Sequence, residues 1–424
     1  MTNIEGIGIG FGAFKAVGCL LILFTAVPAF AQTSPPSAAL AKTWCFASGK
    51  FTPEQRLGGC TAVIASKNAT QKQIADAYLN RGADRLARND VDGAIADFSE
   101  LIRIEPKRHT AFVNRGEAYR HKGDLDRAIS DFDRAIALNQ KDSAAWYNRG
   151  IAYSDKGDPD HAIADYDQAI KLQPRDAWYY NNHGNSHKAK RDFDRAMADY
   201  NQAIKLDPKF ALAHFNRGTF YQNHGDVALA LADFTTSIRL NPSYAPAYGN
   251  RGRVFRDKGD IERAMADLDQ SLRLDPSGYR DAYARGNLYF DRHDYARALP
   301  DFDRAIQYNP KYAAALNARC VTRAIVGSPR EGLADCDESL KHRPDDAYTL
   351  DSRAFCYLKL GEFAAAIDGY NAALKVNPSL AYSLYGRGLA KQKQGDANGA
   401  ESDIAAAKAI NAGIVDEFRQ FGID

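Results

Sequence analysis

Residues 144–174, AAWYNRGIAYSDKGDPDHAIADYDQAIKLQP, belong to a pattern that repeats along most of the chain. The glycine at position 150 has an equivalent every 34 residues, and cysteine or alanine takes its place in two units. The ten equivalent positions are Gly82, Gly116, Gly150, Gly184, Gly218, Gly252, Gly286, Cys320, Ala354 and Gly388. A fixed period of this length is typical of a solenoid of stacked helix-turn-helix units.

Three other positions follow the same period, if the glycine is numbered position 8 of each unit. Position 20 is alanine in nine units, position 24 is mostly aromatic, and position 32 is proline in eight units. Small residues let the two helices of a unit approach closely, and proline cannot continue the second helix. The pattern therefore predicts an all-α fold in which an aromatic side chain fills the space beside each glycine.

This combination of glycine, tyrosine, alanine and proline resembles the tetratricopeptide repeat (TPR) family, and the resemblance covers most of the chain. Some units also look like those of exported alphaproteobacterial TPR-repeat proteins. The resemblance implies a right-handed solenoid, or superhelix, of ten repeats between residues 75 and 408, with a capping helix at each end. The repeats are expected to start at residues 75, 109, 143, 177, 211, 245, 279, 313, 347 and 381.

Residues 1–31 predict export. The apolar stretch Ala16–Val27 follows Lys15 and precedes Ala29-Phe30-Ala31, which has the small-x-small pattern of a signal peptidase site. We therefore expect a cleaved signal peptide, an exported, periplasmic protein and no stable membrane span after cleavage. Retention of this segment as an anchor is the alternative.

The segments on either side of the repeats are expected to form caps. Residues 32–74 are interpreted as a tether followed by an N-terminal cap with a disulfide. In residues 409–424, Ile414, Val415, Phe418 and Phe421 form an apolar stripe that predicts a final capping helix.

Cysteine pairs are informative in an exported chain, because that compartment is oxidising. A bond between Cys45 and Cys60 is expected to attach a single capping helix to the stack. Cys320 and Cys336 occupy positions 8 and 24 of unit 8, which face each other in the other units, so a second disulfide is predicted there. The alternatives are buried reduced thiols and a bond between Cys336 and Cys356.

The face of the first helix that does not pack in the stack is the predicted binding surface. Positions 2, 5, 6, 9, 12 and 13 fall together on one side of a helix. We call this side the inner face, because the resemblance implies that first helices line a concave groove. Position 6 forms an asparagine series: Asn80, Asn114, Asn148, Asn182, Asn216 and Asn250. Their amides are expected to bind the backbone of an extended peptide, unless asparagine is only a soluble residue there.

Aromatic, amide and arginine side chains at other inner-face positions extend the predicted groove through units 2 to 7. They are Tyr147, Trp178, Asn181, Asn185, Phe215, Arg253, Arg256, Arg280 and Asn287. Aromatic side chains add contact area at low entropic cost, and the arginines are expected to receive a carboxylate from the partner. The alternative is that these long side chains only cover the wall of the groove.

A second series of charged residues is predicted to stabilise the fold. Position 7 is arginine and position 23 is aspartate in nine units each. Position 7 points toward the packed side, so an internal ion pair with position 23 is expected in each repeat.

Composition and motifs favour a binding protein. The chain has 55 Lys and Arg against 53 Asp and Glu, so no net field favours nucleic acid. The sequence contains no glycine-rich phosphate loop or nucleophile elbow. We expect a non-catalytic scaffold for a protein or peptide partner, without catalytic residues, metal or cofactor. One alternative is an assembly scaffold for the cell envelope or polysaccharide secretion that docks by its convex face.

The other alternative is a metal-dependent enzyme. His183 and His187 are four residues apart, which is metal-ligand spacing on a helix. They occupy packed positions, however, and are expected to be satisfied core imidazoles.

Overall fold

The structure is a computed structural model that describes residues 37–47 and 51–423. These residues form 23 α-helices and no β-strand. The signal peptide predicted for residues 1–31 lies outside the described residues. Within the described part, every helix is too short or too polar to cross a membrane.

The N-terminal cap is a pair of helices, α1 (Ala38–Phe46) and α2 (Pro53–Ala65), whereas the sequence predicted a single helix. A disulfide between Cys45 and Cys60 joins them. The first helix was missed because it is short and only weakly amphipathic. Its start is fixed by Ser37, whose hydroxyl accepts a hydrogen bond from the N–H of Leu40.

Ten consecutive pairs of helices follow, and each pair consists of a first helix, A, and a second helix, B. The A helices are α3 (Gln71–Ala87), α5 (His109–Lys122), α7 (Ser143–Lys156), α9 (Ala177–Ala189), α11 (Ala211–Asn223), α13 (Ala245–Asp257), α15 (Tyr279–Phe290), α17 (Ala313–Ile325), α19 (Ala347–Leu360) and α21 (Ala381–Gln394). The B helices are α4 (Val91–Ile104), α6 (Leu125–Leu138), α8 (Pro159–Leu172), α10 (Phe193–Leu206), α12 (Val227–Leu240), α14 (Ile261–Leu274), α16 (Tyr295–Tyr308), α18 (Pro329–His342), α20 (Phe363–Val376) and α22 (Ala397–Ile410).

The first of these helices begins earlier than predicted. Helix α3 starts at Gln71, four residues before the expected start of the repeats at residue 75. Thr70 and Gln73 form a capping box, in which each side chain binds the backbone N–H of the other residue. This local signal adds a turn that the 34-residue period does not contain.

The close approach of helices A and B explains the repeated glycine. In repeat 3, a Cβ atom on Gly150 would lie 2.7 Å from the ring of Tyr166, which is only 1% exposed. Ala162 at position 20 is fully buried in the same hairpin. The turn between the helices contains Gly157 with φ of 81°, and Asp158 then caps α8. Larger side chains at Gly150 and Ala162 would separate the two helices.

Contacts divide the chain into two units, Met1–Asn216 and Arg217–Asp424, which we call the N-terminal and C-terminal units. The boundary falls within α11. In each unit the core runs along the hairpins, since the aromatic residue at position 24 is buried in repeat after repeat. The C-terminal unit ends in α23 (Ile414–Gln420), where Ile414 and Phe418 are buried against α19 and α21.

Candidate functional site

The inner face of the N-terminal unit is continuous from one repeat to the next. Each A helix contacts the A helix of the neighbouring repeat, from α3 to α5, from α5 to α7 and from α7 to α9. Side chains also meet across these contacts: Arg120 Nη1 on α5 lies 2.9 Å from Asp155 Oδ2 on α7. The A helices therefore present one shared surface within this unit.

Four side chains on this surface form an amide network instead of the predicted peptide site. Asn181 is fully buried, and its Oδ1 accepts a hydrogen bond of 2.8 Å from Asn216 Nδ2. Asn181 Nδ2 donates to Asn182 Oδ1, and Asn182 Nδ2 donates to the hydroxyl of Tyr147 over 2.8 Å. Buried amides require partners, and the extra asparagine at position 5 of repeat 4 supplies them. The prediction that these amides are free to bind a peptide backbone is therefore wrong.

Two further members of the asparagine series also bind the protein itself. Asn80 Nδ2 donates to the main-chain oxygen of Cys45 in the N-terminal cap, over 3.0 Å. Asn250 Nδ2 donates to the hydroxyl of Thr219 over 3.3 Å, and Asn250 Oδ1 accepts from Arg253. Asn80 thus connects the first repeat to the N-terminal cap, and Asn250 contributes to the contact between repeats 5 and 6.

Asn114 and Asn148 differ from the rest of the series. Both side chains are partly buried on the inner face, on α5 and α7. Neither amide makes a hydrogen bond with another described residue, although each can donate two and accept two. These two residues are the part of the series that is available to a ligand.

The predicted aromatic residues are only partly exposed. Trp178 is 52% exposed, and its ring centroid lies 4.5 Å from that of Phe210. Tyr147 packs on Tyr179 with a centroid distance of 4.6 Å, and burial raises the pKa of its hydroxyl. Phe215 is 9% exposed, so it adds little surface. Trp178 is therefore the aromatic side chain of the predicted set that a partner can cover.

The remaining predicted amides are Asn185 and Asn287. Asn185 Oδ1 accepts a hydrogen bond of 2.8 Å from the hydroxyl of Tyr200, a residue that is buried between the helices of repeat 4. Asn287 is partly buried on α15 and makes no side-chain hydrogen bond with a described residue. Asn185 therefore has a structural role, and Asn287 is an available amide of the C-terminal unit.

Two of the three predicted arginines already bind carboxylates of the protein. Arg253 forms an ion pair with Asp281, and Arg256 Nη2 lies 2.7 Å from Asp257 Oδ1. Arg280 is exposed and has no carboxylate partner among the described residues, and its guanidinium lies 5.5 Å from the ring of the neighbouring Tyr279. The expectation that Arg253 receives a partner's carboxylate is wrong, because Asp281 replaces a small residue at position 3 and binds it. Arg256 binds the exposed carboxylate of its neighbour Asp257, so binding of a partner by Arg256 stays a prediction.

Lys188 is an inner-face residue that the sequence analysis did not single out. It occupies position 12 of repeat 4 on α9 and is partly buried, and burial lowers the pKa of its ammonium group. No carboxylate among the described residues pairs with it. Binding of an anionic ligand to a desolvated cation of this kind is favourable, because the ligand restores the charge interactions that burial removed. Position 12 also carries a cation in repeats 2 and 6, where it is Arg120 and Arg256. This recurrence is the sequence signal that could have identified Lys188.

The predicted arginine–aspartate pairs are present in eight repeats. In each, Nε and Nη2 of position 7 bind the two carboxylate oxygens of position 23 over 2.5–2.9 Å. The pairs are Arg81–Asp97, Arg115–Asp131, Arg149–Asp165, Arg217–Asp233, Arg251–Asp267, Arg285–Asp301, Arg319–Asp335 and Arg387–Asp403. The aspartate side chains are at most 9% exposed, so these pairs join helices A and B inside the repeat.

Comparison with known families agrees with this geometry. Family models described as "Tetratricopeptide repeat" match residues 143–176, 221–279 and 280–312. A model described as "TPR repeat" matches residues 116–157, 184–225 and 356–395, and together the matches cover more than half of the chain. The chain belongs to the tetratricopeptide repeat family. TPR repeats are typically non-catalytic scaffolds that bind other proteins.

Several solved structures are similar to this chain. A TPR protein from Parabacteroides merdae is 19% identical over 59% of this chain and 99% of its own, with a TM-score of 0.48. Pseudomonas aeruginosa pilF is 17% identical over 49% of this chain and 94% of its own, with a TM-score of 0.45. YrrB, described as a TPR protein with an unusual peptide-binding site, is 21% identical over 44% of this chain and 97% of its own, with a TM-score of 0.35. A comparison with curated protein sequences gives no match.

TPR repeat 4 departs from the other repeats at its ion pair, where His183 replaces arginine at position 7. His183 is 8% exposed and His187 is 3% exposed, so both lie in the core as expected. Their Nδ1 atoms, however, are buried and make no hydrogen bond with a described residue. The expected core position is confirmed, whereas each imidazole is satisfied only at Nε2, where the two rings form a hydrogen bond of 3.2 Å with each other.

TPR repeat 8 contains the second disulfide. Cys320 and Cys336 are bonded, with their Cα atoms 5.5 Å apart, at the two positions that hold glycine and an aromatic residue elsewhere. Cys356 is a free, buried thiol, and its Sγ lies 3.6 Å from that of Cys320. The alternative bond between Cys336 and Cys356 is not formed.

Proposed function

We propose that the protein is a non-catalytic scaffold that binds an extended peptide segment along the inner face of the N-terminal unit. The observation that carries this proposal is the pair Asn114 and Asn148, at equivalent positions of neighbouring A helices. Both amides are partly desolvated and lack a partner among the described residues. A peptide backbone supplies the donors and acceptors that such amides require.

The spacing of the helices suits an extended chain. Packed helices lie roughly 8–10 Å apart, and an extended strand advances about 3.3 Å per residue. A peptide that crosses from α5 to α7 would therefore place about every third residue near one of the two amides. Contacts of this kind involve the backbone and leave sequence preference to neighbouring side chains.

Trp178 and Lys188 on α9 supply that preference in our proposal. Trp178 offers a half-exposed ring for an apolar side chain. Lys188 offers a desolvated positive charge for a carboxylate, which is a side chain or the carboxyl terminus of the partner. Trp178 and Lys188 are about 15 Å apart along α9, and an extended chain spans this distance in roughly four to five residues. The partner is thus an extended segment with an apolar residue and an acidic group at about that separation.

We also propose that the protein works outside the cytoplasm. The support comes from two disulfides among the described residues and from the signal-like sequence of residues 1–31. Disulfides persist in oxidising compartments and are rare in a reducing cytosol. Fractionation of the host cells, with immunodetection of the protein, tests this location.

The peptide site is tested with a displayed library of random peptides and the full-length chain. We expect enrichment of extended peptides that carry an acidic group. The double substitution Asn114→Ala with Asn148→Ala should weaken binding of an enriched peptide at least about tenfold, since two hydrogen bonds are lost. Asn287→Ala in the C-terminal unit is the matched control and should have no effect.

The remaining outcomes discriminate between proposals. Lys188→Gln should remove the preference for acidic peptides while binding of neutral ones is kept. Equal binding by the double variant and the unsubstituted chain would contradict the inner-face site. It would instead favour docking through the convex face, as expected for an assembly scaffold.

A further inference from the structure

The side chains of His183 and His187 meet in the core of repeat 4. The residues are one turn apart on α9, and their Nε2 atoms lie 3.2 Å from each other. Their ring centroids are 4.4 Å apart at an interplanar angle of 73°, so the rings face each other edge to face. Asp199 on α10 completes the histidine cluster, because one donor atom from each of the three residues lies within 4.8 Å of the others.

The two Nε2 atoms form a hydrogen bond with each other, but three other polar atoms of this histidine cluster have no hydrogen bond within the described protein, although His187 Nδ1 lies 3.6 Å from Asp192 Oδ2. The Nδ1 atoms of His183 and His187 and the Oδ2 atom of Asp199 are buried without a hydrogen bond to a described residue. His183 Nδ1 and Asp199 Oδ2 are 2.9 Å apart, but their orientation does not form a hydrogen bond. A buried polar group without a partner destabilises the folded state by about 1–3 kcal/mol.

The cluster lies where the other repeats have their structural ion pair. Repeat 3 has Arg149 at position 7 and Tyr153 at position 11, whereas repeat 4 has a histidine at both positions. The aspartate at position 23 is retained as Asp199. Two imidazoles beside a partly buried carboxylate therefore replace a guanidinium that binds the carboxylate directly.

We propose that His183, His187 and Asp199 bind a divalent transition-metal ion, with zinc as the best fit. Imidazole nitrogen and carboxylate oxygen are zinc ligands with bond lengths of about 2.0–2.2 Å. Two ligands of a tetrahedral ion then lie roughly 3.3 Å apart, close to the separation of the two Nε2 atoms. The proposal is independent of the peptide site on the inner face.

The fourth ligand comes from water or from Asp167. Asp167 Oδ1 on α8 lies 3.5 Å from His183 Nε2, and its side chain is 61% exposed. An ion held by these residues would join α9 to α10, as the ion pair does elsewhere, and also to α8 of the preceding repeat. The role that the geometry favours is thus structural.

The site is tested with the full-length chain after removal of metal by a chelator. We expect one equivalent of Zn²⁺ to bind in a calorimetric titration and to raise the melting temperature. Co²⁺ in place of zinc should give the visible absorption of a four-coordinate site. Less than half an equivalent of zinc bound, or binding without a change in melting temperature, would overturn the proposal.

Substitutions that restore the usual repeat residues make the test specific. His183→Arg supplies the guanidinium of the other repeats and His187→Tyr supplies their aromatic ring, so both variants are expected to fold. Each should lower the affinity for zinc about a hundredfold or more, beyond the 10–100-fold effect of residues that only orient a ligand. Asp199→Asn keeps the size of the side chain and should also weaken binding.

The matched control is His161→Gln. His161 is an exposed histidine of the N-terminal unit, and its side chain binds the capping residue Asp158. This control should bind zinc as tightly as the unsubstituted chain. Circular dichroism verifies that each variant is helical. Unchanged zinc affinity in folded His183→Arg and His187→Tyr would exclude the cluster as the binding site.

Discussion

Arg149 and Asp165 form a two-point ion pair, with Nε 2.8 Å from Oδ2 and Nη2 2.6 Å from Oδ1. The Asp165 side chain is 4% exposed, and Arg149 is 18% exposed. The third nitrogen of the guanidinium, Nη1, lies 2.5 Å from Asp133 on α6 of the preceding repeat. One arginine therefore connects α7, α8 and α6.

Asp165→Ala should destabilise the protein, because it leaves a largely buried guanidinium without its carboxylate. We expect a loss of about 3 kcal/mol in the free energy of unfolding, measured by urea denaturation. Asp133→Ala removes a contact to the same arginine, but its carboxylate is 53% exposed, so a loss below about 1 kcal/mol is expected. Equal losses in the two variants would show that the buried pair contributes no more to the free energy of unfolding than the exposed contact does.

The pairing of Arg149 with Asp165 could be predicted from sequence, because both residue types recur at fixed positions of one hairpin. Helical geometry then decides which faces meet. The contact with Asp133 could not be predicted in the same way. Position 25 is aspartate in only five units and is, for example, Ser99 and Thr235 in others, and the contact depends on how one hairpin packs on the next.

The asparagine series illustrates the same limit at the binding surface. The sequence placed these amides on one face of the A helices, and the structure agrees. It could not show that Asn182 and Asn216 bind Tyr147 and Asn181, because partners at neighbouring positions depend on the angle between successive hairpins. The 34-residue period fixes the hairpin, whereas this angle follows from packing between repeats.

Asn181→Ala is expected to destabilise the protein, although the same change at Asn148 should not. Removal of the Asn181 amide leaves Asn216 Nδ2 without an acceptor and Asn182 Oδ1 without a donor inside the protein. Two unsatisfied groups should lower the free energy of unfolding by about 2–4 kcal/mol.

Asn148→Ala is the control for this prediction, since its amide binds no other described residue. Chemical denaturation should give a change below about 0.5 kcal/mol for this variant. A large loss at Asn148, or none at Asn181, would reverse the assignment of structural and available amides.

The thiol of Cys356 should be protected in the folded protein. It is buried, and burial raises the pKa of the thiol to about 12, so little reactive thiolate forms at neutral pH. We expect peptide mapping without reductant to give Cys45–Cys60 and Cys320–Cys336, with Cys356 alkylated only in denaturant. Rapid alkylation under native conditions, or a Cys336–Cys356 peptide, would contradict this arrangement.

Asp351 on α19 should make stability depend on pH. Burial raises the pKa of its carboxyl to about 6, and the hydroxyl of Ser383, which donates to it over 2.5 Å, only partly offsets this effect. The nearby hydroxyls of Tyr370 and Tyr382 have pKa values raised by burial and stay neutral in this range.

The sign follows from the protons bound in each state. Between about pH 4 and pH 6 the folded protein keeps a proton on Asp351 that the unfolded chain has lost. This group therefore stabilises the folded state relatively more at pH 4, and its contribution falls as the pH rises to about 6.

Asp351→Asn keeps the neutral form at every pH. We expect it to raise the free energy of unfolding by about 2 kcal/mol at pH 7.5 and by little at pH 4, in urea denaturation at both values. An equal change at the two pH values would show that the pKa of the Asp351 carboxyl is not raised in the folded protein.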